Sequence, residues 1–299
     1  MTAVFDPEVM VPEAMERIRP IIRRTILDPS PYYSRRCGAD VYFKCENLQH
    51  TGSFKARGAL NKILSLSEKE RARGIVTAST GNHGAACAFA MQQVGAGGIV
   101  FVPEIAEETK LAAIRRLGAE ICTVGTDSVE AEQAARTYAA EQGLTYVPPY
   151  NDPLVIGGQG TIALELLQQL PELDAVFVSV GGGGLIGGIA SYLKSVTPTI
   201  QVYGCSPQNS QVMALSVEAG ELLDLPSLPT LSDGTAGGVE AGSITFPLCR
   251  DHVDHFISVS EEEIAAGLRD FMGAQHMLIE GSAAVAIAAF LKTADQLQG

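Results

Sequence analysis

Basic residues are scarce in this 299-residue sequence: 21 Lys and Arg stand against 34 Asp and Glu, for a formal net charge of -13. A surface of that sign argues against nucleic acid or an anionic membrane as the main partner and points to a small molecule. Cysteine is thinly spread as well. Cys37, Cys45, Cys87, Cys122, Cys205 and Cys249 include no CxxC pair, which resembles neither a zinc site nor a disulfide framework and predicts reduced, mostly buried thiols in cytoplasm. No apolar run is long enough to span a bilayer. The opening stretch MTAVFDPEVMVPEAMERIRP has no basic segment followed by an apolar one, so no targeting signal is expected. Internal repeats and low-complexity tails are missing too. Charged residues make up 18% and hydrophobic ones 46%, enough for a large core and, at this length, for two lobes.

Helix-period and strand-like segments alternate through most of the chain. VYFKCE (41–46), GIVTAS (74–79), GGIVFVP (97–103), EICTV (120–124), LTYVPPY (144–150), DAVFVSV (174–180) and IQVYGCS (200–206) read as strands. Helices are predicted between them, among them 158–169 and 185–195. Strands that are apolar throughout, rather than alternating, imply parallel sheets covered on both faces. The expected fold class is α/β with two lobes, each holding a mostly parallel sheet flanked by helices. A small lobe at 67–150, inserted into a larger one formed by 1–66 and 151–299, is the expected domain plan. The Gly-, Pro-, Ser- and Thr-rich stretch 222–247 is expected to be irregular.

Three short stretches carry chemistry. In TGSFKARGAL (51–60), Thr51, Gly52 and Ser53 predict a turn running into an N-cap, and Ala56, Ala59, Leu60 and Ile63 recur at helical spacing. Lys55 therefore lies in the first turn, where positive charge is unfavourable. A solvated surface lysine is the ordinary reading; an anionic ligand or a covalent bond through the amine would explain the position better. In VFVSVGGGGLIGGIASYLK, Gly181, Gly182, Gly183 and Gly184 lie between a strand and a helix and can turn peptide N–H groups toward a phosphate. Gly182, Gly184 and Gly187 also satisfy GxGxxG. The next strand nevertheless ends in Cys205 and Ser206 rather than in the acidic residue that a nicotinamide dinucleotide site requires. ASTGNHGAA (78–86) follows a strand and opens a helix around Gly84, and its polar turn can receive a carboxylate. A first-turn lysine, a phosphate cradle and a carboxylate cradle are what a lysine Schiff base to pyridoxal 5'-phosphate needs when the substrate is an amino acid.

KCENLQHTGSFKARGA, STGNHGAA, GGQGTIALELL, VSVGGGGLIGGIA, TLSDGTAGG and FPLCRDHVDHFISVSEEEI, in order over about residues 19 to 290, resemble the serine/threonine dehydratase and serine racemase group of fold-type II pyridoxal-phosphate enzymes. This is the tryptophan synthase β-like fold. The resemblance implies a cytoplasmic homodimer whose larger lobe binds the cofactor and whose smaller lobe binds the substrate carboxylate. It implies that Lys55 bonds to the cofactor and moves protons at the α-carbon, and that Phe54 packs beside the ring. Asn82 would meet the 3-hydroxyl, and Gly181 to Gly184, together with Gly234 of TLSDGTAGG, would hold the cofactor. Ser79, Asn82 and His83 would receive the substrate carboxylate. The implied reaction is β-elimination of water from a 3-hydroxy amino acid such as threonine or serine, releasing a 2-oxo acid and ammonia. Amino-acid racemisation is the second reading, and a protein that binds cofactor or amino acid without turnover is the third.

Several positions depart from the group's pattern. Thr80 stands where racemases carry a catalytic serine and dehydratases usually an alanine, so its hydroxyl is a candidate catalytic group for either. Ser206, Ser210 and Val212 stand where metal-activated members place a glutamate, a backbone carbonyl and an aspartate, so no divalent-cation site of that type is expected. Glu240 and Ser243, in GGVEAGSITF, differ from the usual loop, and Glu240 is a candidate reader of a cationic or hydroxylated substrate. The STGNHG and GGVE variants are also similar to dehydratase-like proteins associated with hydroxyectoine breakdown. Glu280 matches a family glutamate near the ring. The residue that faces the pyridine nitrogen in the family belongs to a strand following the position where this sequence stops.

Overall fold

The computed structural model describes residues 5–106 and 108–297. They form two compact units: the described residues up to Arg24 with Leu48–Thr161, and Thr25–Asn47 with the described residues from Ile162 onward. The strands in chain order are β1 (Leu27–Pro29), β2 (Tyr42–Lys44), β3 (Ile75–Ala78), β4 (Gly98–Val102), β5 (Glu120–Thr123), β6 (Thr145–Tyr146), β7 (Ala175–Ser179), β8 (Gln201–Pro207) and β9 (His255–Val259).

The first unit is built on a parallel sheet of order β5-β4-β3-β6, with Ile75 opposite Gly98 and Ile99 opposite Glu120 in register. Parallel neighbours need a crossover, and the helices Asn82–Val94 and Glu108–Arg116 supply it between β3, β4 and β5. All four residues of β3 are buried, as the apolar run GIVTAS predicts for a strand covered on both faces. Helix Ser128–Gln142 starts at Asp127, whose carboxylate accepts from the N–H groups of Val129 and Glu130. Its Ala135 and Ala139 pack with Val76, Ala78 and Phe101 of the sheet.

Helix Lys55–Ser65 belongs to this unit because its apolar stripe, Ala56, Ala59, Leu60 and Ile63, joins the same core as Ala86, Cys87 and Ala90 of helix Asn82–Val94. The compact unit therefore takes in residues 48–66, where the sequence plan drew its small lobe from 67. Polar ties hold the other side of the helix. The Gly58 N–H donates to Gln159 Oε1 (3.2 Å), Asn61 Nδ2 to the Leu154 carbonyl (2.6 Å), and Lys62 Nζ to Asp152 (2.6 Å). Replacing the fully buried Leu60 with alanine is expected to cost about 3 kcal/mol through lost burial and a residual cavity, read as a lower urea midpoint with unchanged slope.

The second unit holds the parallel sheet β7-β8-β9 and the antiparallel pair β1-β2. Cys205 and Val259 of its strands pack with Ala284, Val285 and Ala288 of helix Gly281–Thr293. Beside the β1-β2 pair, the rings of Tyr33, Phe43 and Phe271 meet edge to face at 5.2 and 4.9 Å. Lys44, at the end of β2, has a nearly buried ammonium. It donates to the Thr25 carbonyl (2.9 Å), Glu165 (2.5 Å) and Gln169 Oε1 (2.8 Å), which together offset the loss of water. Residues 222–247 are irregular apart from a short turn of 3-10 helix at Asp233–Thr235 and the start of a helix at Thr245.

Candidate active site

In the first unit, Lys55 is the first residue of its helix. The turn expected before it is present, but the cap position falls to Phe54, whose side chain makes no capping bond. The hydroxyls of Thr51 and Ser53 are buried and, among the described residues, meet no hydrogen-bond partner. Lys55 Nζ, half-buried, donates to the Pro149 carbonyl at 2.8 Å and lies 5.4 Å from the centre of the Phe54 ring. The carbonyl acceptor holds the amine in place.

The polar turn lies between β3 and helix Asn82–Val94. The Gly81 N–H donates to Ser79 Oγ (3.2 Å), while Ser79 and Thr80 are half-buried. The helix starts at Asn82, two residues before the expected Gly84, which puts Asn82 and His83 in its first turn. Peptide N–H groups there have no helical acceptor and face the positive end of the dipole.

His83 is buried, and its Nε2 lies 3.0 Å from the Val147 carbonyl, which also accepts from Thr77 Oγ1 at 2.8 Å. A carbonyl only accepts, so Nε2 carries the hydrogen and the ring is neutral. Burial, and then the charge of Lys55, push its pKa down to about 3, against the opposing bond to Val147. The folded protein thus binds fewer protons at this residue than the unfolded chain between about pH 3 and 6.5. Stability from this group is present above 6.5 and is lost as pH falls, by roughly 1.4 kcal/mol per unit. Urea unfolding of wild type and His83→Asn from pH 7 to 4 is expected to show that extra slope in wild type alone.

In the second unit, β7 runs into Gly181–Gly184 and then into helix Gly184–Val196. Gly183 has φ +83°, and a Cβ there would lie 2.8 Å from Met213 Cε and 3.0 Å from both Cys249 Sγ and Thr245 Cβ. A Cβ at Gly181 would lie 2.9 Å from the Thr235 backbone. Among the described residues, the N–H groups of Gly181 to Gly184 donate to no protein acceptor. A turn that excludes side chains and leaves peptide donors open at a helix start fits a phosphate.

Gly234 adjoins this turn through Thr235. Its N–H donates to Ser282 Oγ (3.0 Å), and Ser179 Oγ donates to the Ser282 carbonyl (2.6 Å). Glu280, exposed, stands at the N-cap of helix Gly281–Thr293, with Oε1 3.7 Å from where a Gly234 Cβ would lie. Glu240 is half-buried on the irregular stretch. At the three positions where a cation site would need charged donors, Ser206 Oγ is buried and, among the described residues, meets no hydrogen-bond partner, Val212 is buried, and Ser210 Oγ lies 2.7 Å from Ser227 Oγ. Both hydroxyls accept from the Gly237 N–H, at 3.2 and 3.1 Å. Among the described residues, no carboxylate bonds these hydroxyls.

The sequence reading missed Val147, Pro149, Thr235, Thr245 and Ser282. Each acts on the site through a backbone carbonyl or a short hydroxyl, and no spacing rule marks such residues.

Comparison with known proteins shows the family. The family described as "Pyridoxal-phosphate dependent enzyme" matches residues 18–299. An L-threonine ammonia-lyase of Geobacter sulfurreducens is 41% identical over 285 residues, covering 95% of this chain and 71% of the relative. A serine racemase of Arabidopsis thaliana is 37% identical, covering 94% and 84%. Among solved structures, the processed form of threonine deaminase isoform 2 from Solanum lycopersicum superposes with a TM-score of 0.93 at 33% identity, covering 98% of this chain and 85% of that one. By sequence and by fold, the chain belongs to the pyridoxal-phosphate-dependent enzyme family, in its fold-type II branch.

Proposed function

We propose that this enzyme is an ammonia-lyase that removes water from a 3-hydroxy amino acid, threonine or serine, and releases a 2-oxo acid and ammonia. The observation that carries this reading is Lys55: an amine at the first position of a helix, bonded to the Pro149 carbonyl and beside the Phe54 ring. The relatives named for threonine ammonia-lyase support the reaction class.

Pyridoxal phosphate, when bound, supplies an aldehyde carbon for an amine and a conjugated ring that accepts the electron pair released at the substrate α-carbon. In the proposed assignment Lys55 Nζ would be the amine that holds that aldehyde carbon and the base for the substrate α-proton. Phe54 would pack beside the ring, and the Asn82 amide would meet the 3-hydroxyl. The N–H groups of Gly181, Gly182, Gly183 and Gly184 would hold the phosphate, with Gly234 supporting the cofactor site. The substrate carboxylate is received by Ser79 Oγ and by the first-turn N–H groups of Asn82 and His83. For His83 the peptide is the donor, because its ring is neutral and its Nε2 hydrogen is committed to Val147. Glu240 is assigned to the substrate side chain. Loss of the α-proton and the β-hydroxyl removes one water, and hydrolysis of the resulting enamine releases ammonia.

Racemisation is the second reading, favoured by the Thr80 hydroxyl in the polar turn, where a second proton carrier would act. We further propose a cytoplasmic homodimer, tested by sedimentation. Among the described residues no helix is long and apolar enough to cross a membrane, and the cysteines are free.

The experiment is a visible spectrum, borohydride reduction with mapping of the modified lysine, and assay of L-threonine and L-serine for oxo acid and for the D-enantiomer. Modification at Lys55 with oxo acid as the main product supports the lyase. D-amino acid without oxo acid replaces it with the racemase, and a coloured protein that forms neither product is a binding protein.

A further inference from the structure

We propose that Thr245, with Ser243 behind it, is a positioning residue that aims the Gly183 N–H at the cofactor phosphate. The proposal rests on the assignment of the glycine turn to that phosphate. Thr245 Oγ1 donates to the Gly182 carbonyl at 2.7 Å, and Ser243 Oγ lies 2.7 Å from Thr245 Oγ1. A carbonyl only accepts, so the one hydrogen of the Thr245 hydroxyl is committed to Gly182. Ser243 must therefore donate to Thr245. Ser243 Oγ in turn accepts from the Thr245 N–H at 3.3 Å. The run is Thr245 N–H to Ser243 hydroxyl to Thr245 hydroxyl to Gly182 carbonyl, every bond pointing the same way, and such runs strengthen one another. Thr245 is fully buried and Ser243 is 4% exposed, so water does not compete for these groups.

The consequence lies in the peptide plane. In a planar trans peptide the carbonyl of one residue and the N–H of the next point in opposite directions. A Gly182 carbonyl pulled onto Thr245 turns the Gly183 N–H to the opposite side, away from Thr245, where among the described residues it meets no protein acceptor. Gly183 itself lies close against the Thr245 side chain and has φ +83°. Without the hydroxyl, a half-buried carbonyl loses its donor, and the plane is free to rotate toward another one.

The test is the affinity of full-length protein, stripped of cofactor, for pyridoxal phosphate and for pyridoxal, which lacks the phosphate, both followed by visible absorbance. Thr245→Val keeps the shape and removes the hydroxyl. It is expected to weaken pyridoxal phosphate about tenfold or more and to leave pyridoxal unchanged, while Thr245→Ser stays within about threefold of wild type. Ser243→Ala, which removes only the second donor, is expected to show a smaller loss with the same phosphate dependence, and it carries the test if the valine variant is insoluble. Equal losses for both ligands, or no loss for either, overturn the proposal while the phosphate assignment stands. Wild type binding pyridoxal as tightly as pyridoxal phosphate overturns that assignment, and the proposal with it.

Discussion

Lys55→Ala is expected to lower oxo-acid release by about a thousandfold or more, with the fold intact. The proposed assignment gives one amine two functions, the bond to the cofactor and the transfer of the α-proton, and a general base alone contributes about 10² to 10⁴. The side chain is half-buried and its amine bonds the Pro149 carbonyl, so truncation removes little packing. A melting temperature within a few degrees of wild type is expected. Lys55→Arg keeps the charge but is expected to be equally inactive, since a guanidinium neither adds to an aldehyde nor gives up a proton near neutral pH. Borohydride reduction of either variant should leave peptide 55–65 unmodified. Retention of more than a tenth of wild-type turnover in Lys55→Ala would remove Lys55 from the chemistry.

Gly183→Ala is expected to weaken pyridoxal phosphate about a hundredfold. A side chain at φ +83° costs about 1–2 kcal/mol by itself, and the new methyl lies 2.8 to 3.0 Å from Met213, Cys249 and Thr245, groups that are buried and close-packed. Relief comes only by moving the turn, which redirects the N–H groups. Gly181→Ala should do the same for a different reason, because its methyl meets the backbone of Thr235 at 2.9 Å, which cannot rotate aside as a side chain can. Exposed Gly97, with nothing within 4 Å of its Cβ position, provides the control: Gly97→Ala should bind cofactor as wild type does. Titration of the stripped protein separates the three. Wild-type affinity in both Gly183→Ala and Gly181→Ala would mean that this turn does not hold the phosphate.

Where the sequence speaks through periodicity, it is readable. GIVTAS, GGIVFVP and DAVFVSV are apolar because both faces of their strands are covered, and each appears as a parallel strand within a residue or two of its expected bounds. The glycine turn is readable because four glycines in a row have few other uses. Helix ends are less so: Asn82 opens its helix without a side-chain cap, so the polar cluster there marks the turn but not the first residue. β9 lies in HFISV, a stretch recognisable as part of a family motif but giving no separate strand signal. The groups that aim the site are hidden for a third reason. Pro149 meets Lys55 through a main-chain carbonyl, which any residue type supplies, and Thr245 meets Gly182 through a hydroxyl 63 residues further along the chain, a pairing that no local spacing marks.

The acceptor that holds Lys55 Nζ is 94 residues further along the chain. A ribosome adding about 5–20 residues per second therefore takes roughly 5 to 20 s, after making the lysine, to deliver Pro149. Over that interval the nascent amine has not met its acceptor, and β6, the strand that carries the chain toward it, has not yet closed the edge of its sheet. Gly181 to Gly184 emerge later still. On the proposed assignment, stable capture of pyridoxal phosphate is a late event in synthesis, since a chain stalled before residue 149 has neither this carbonyl nor the glycine turn.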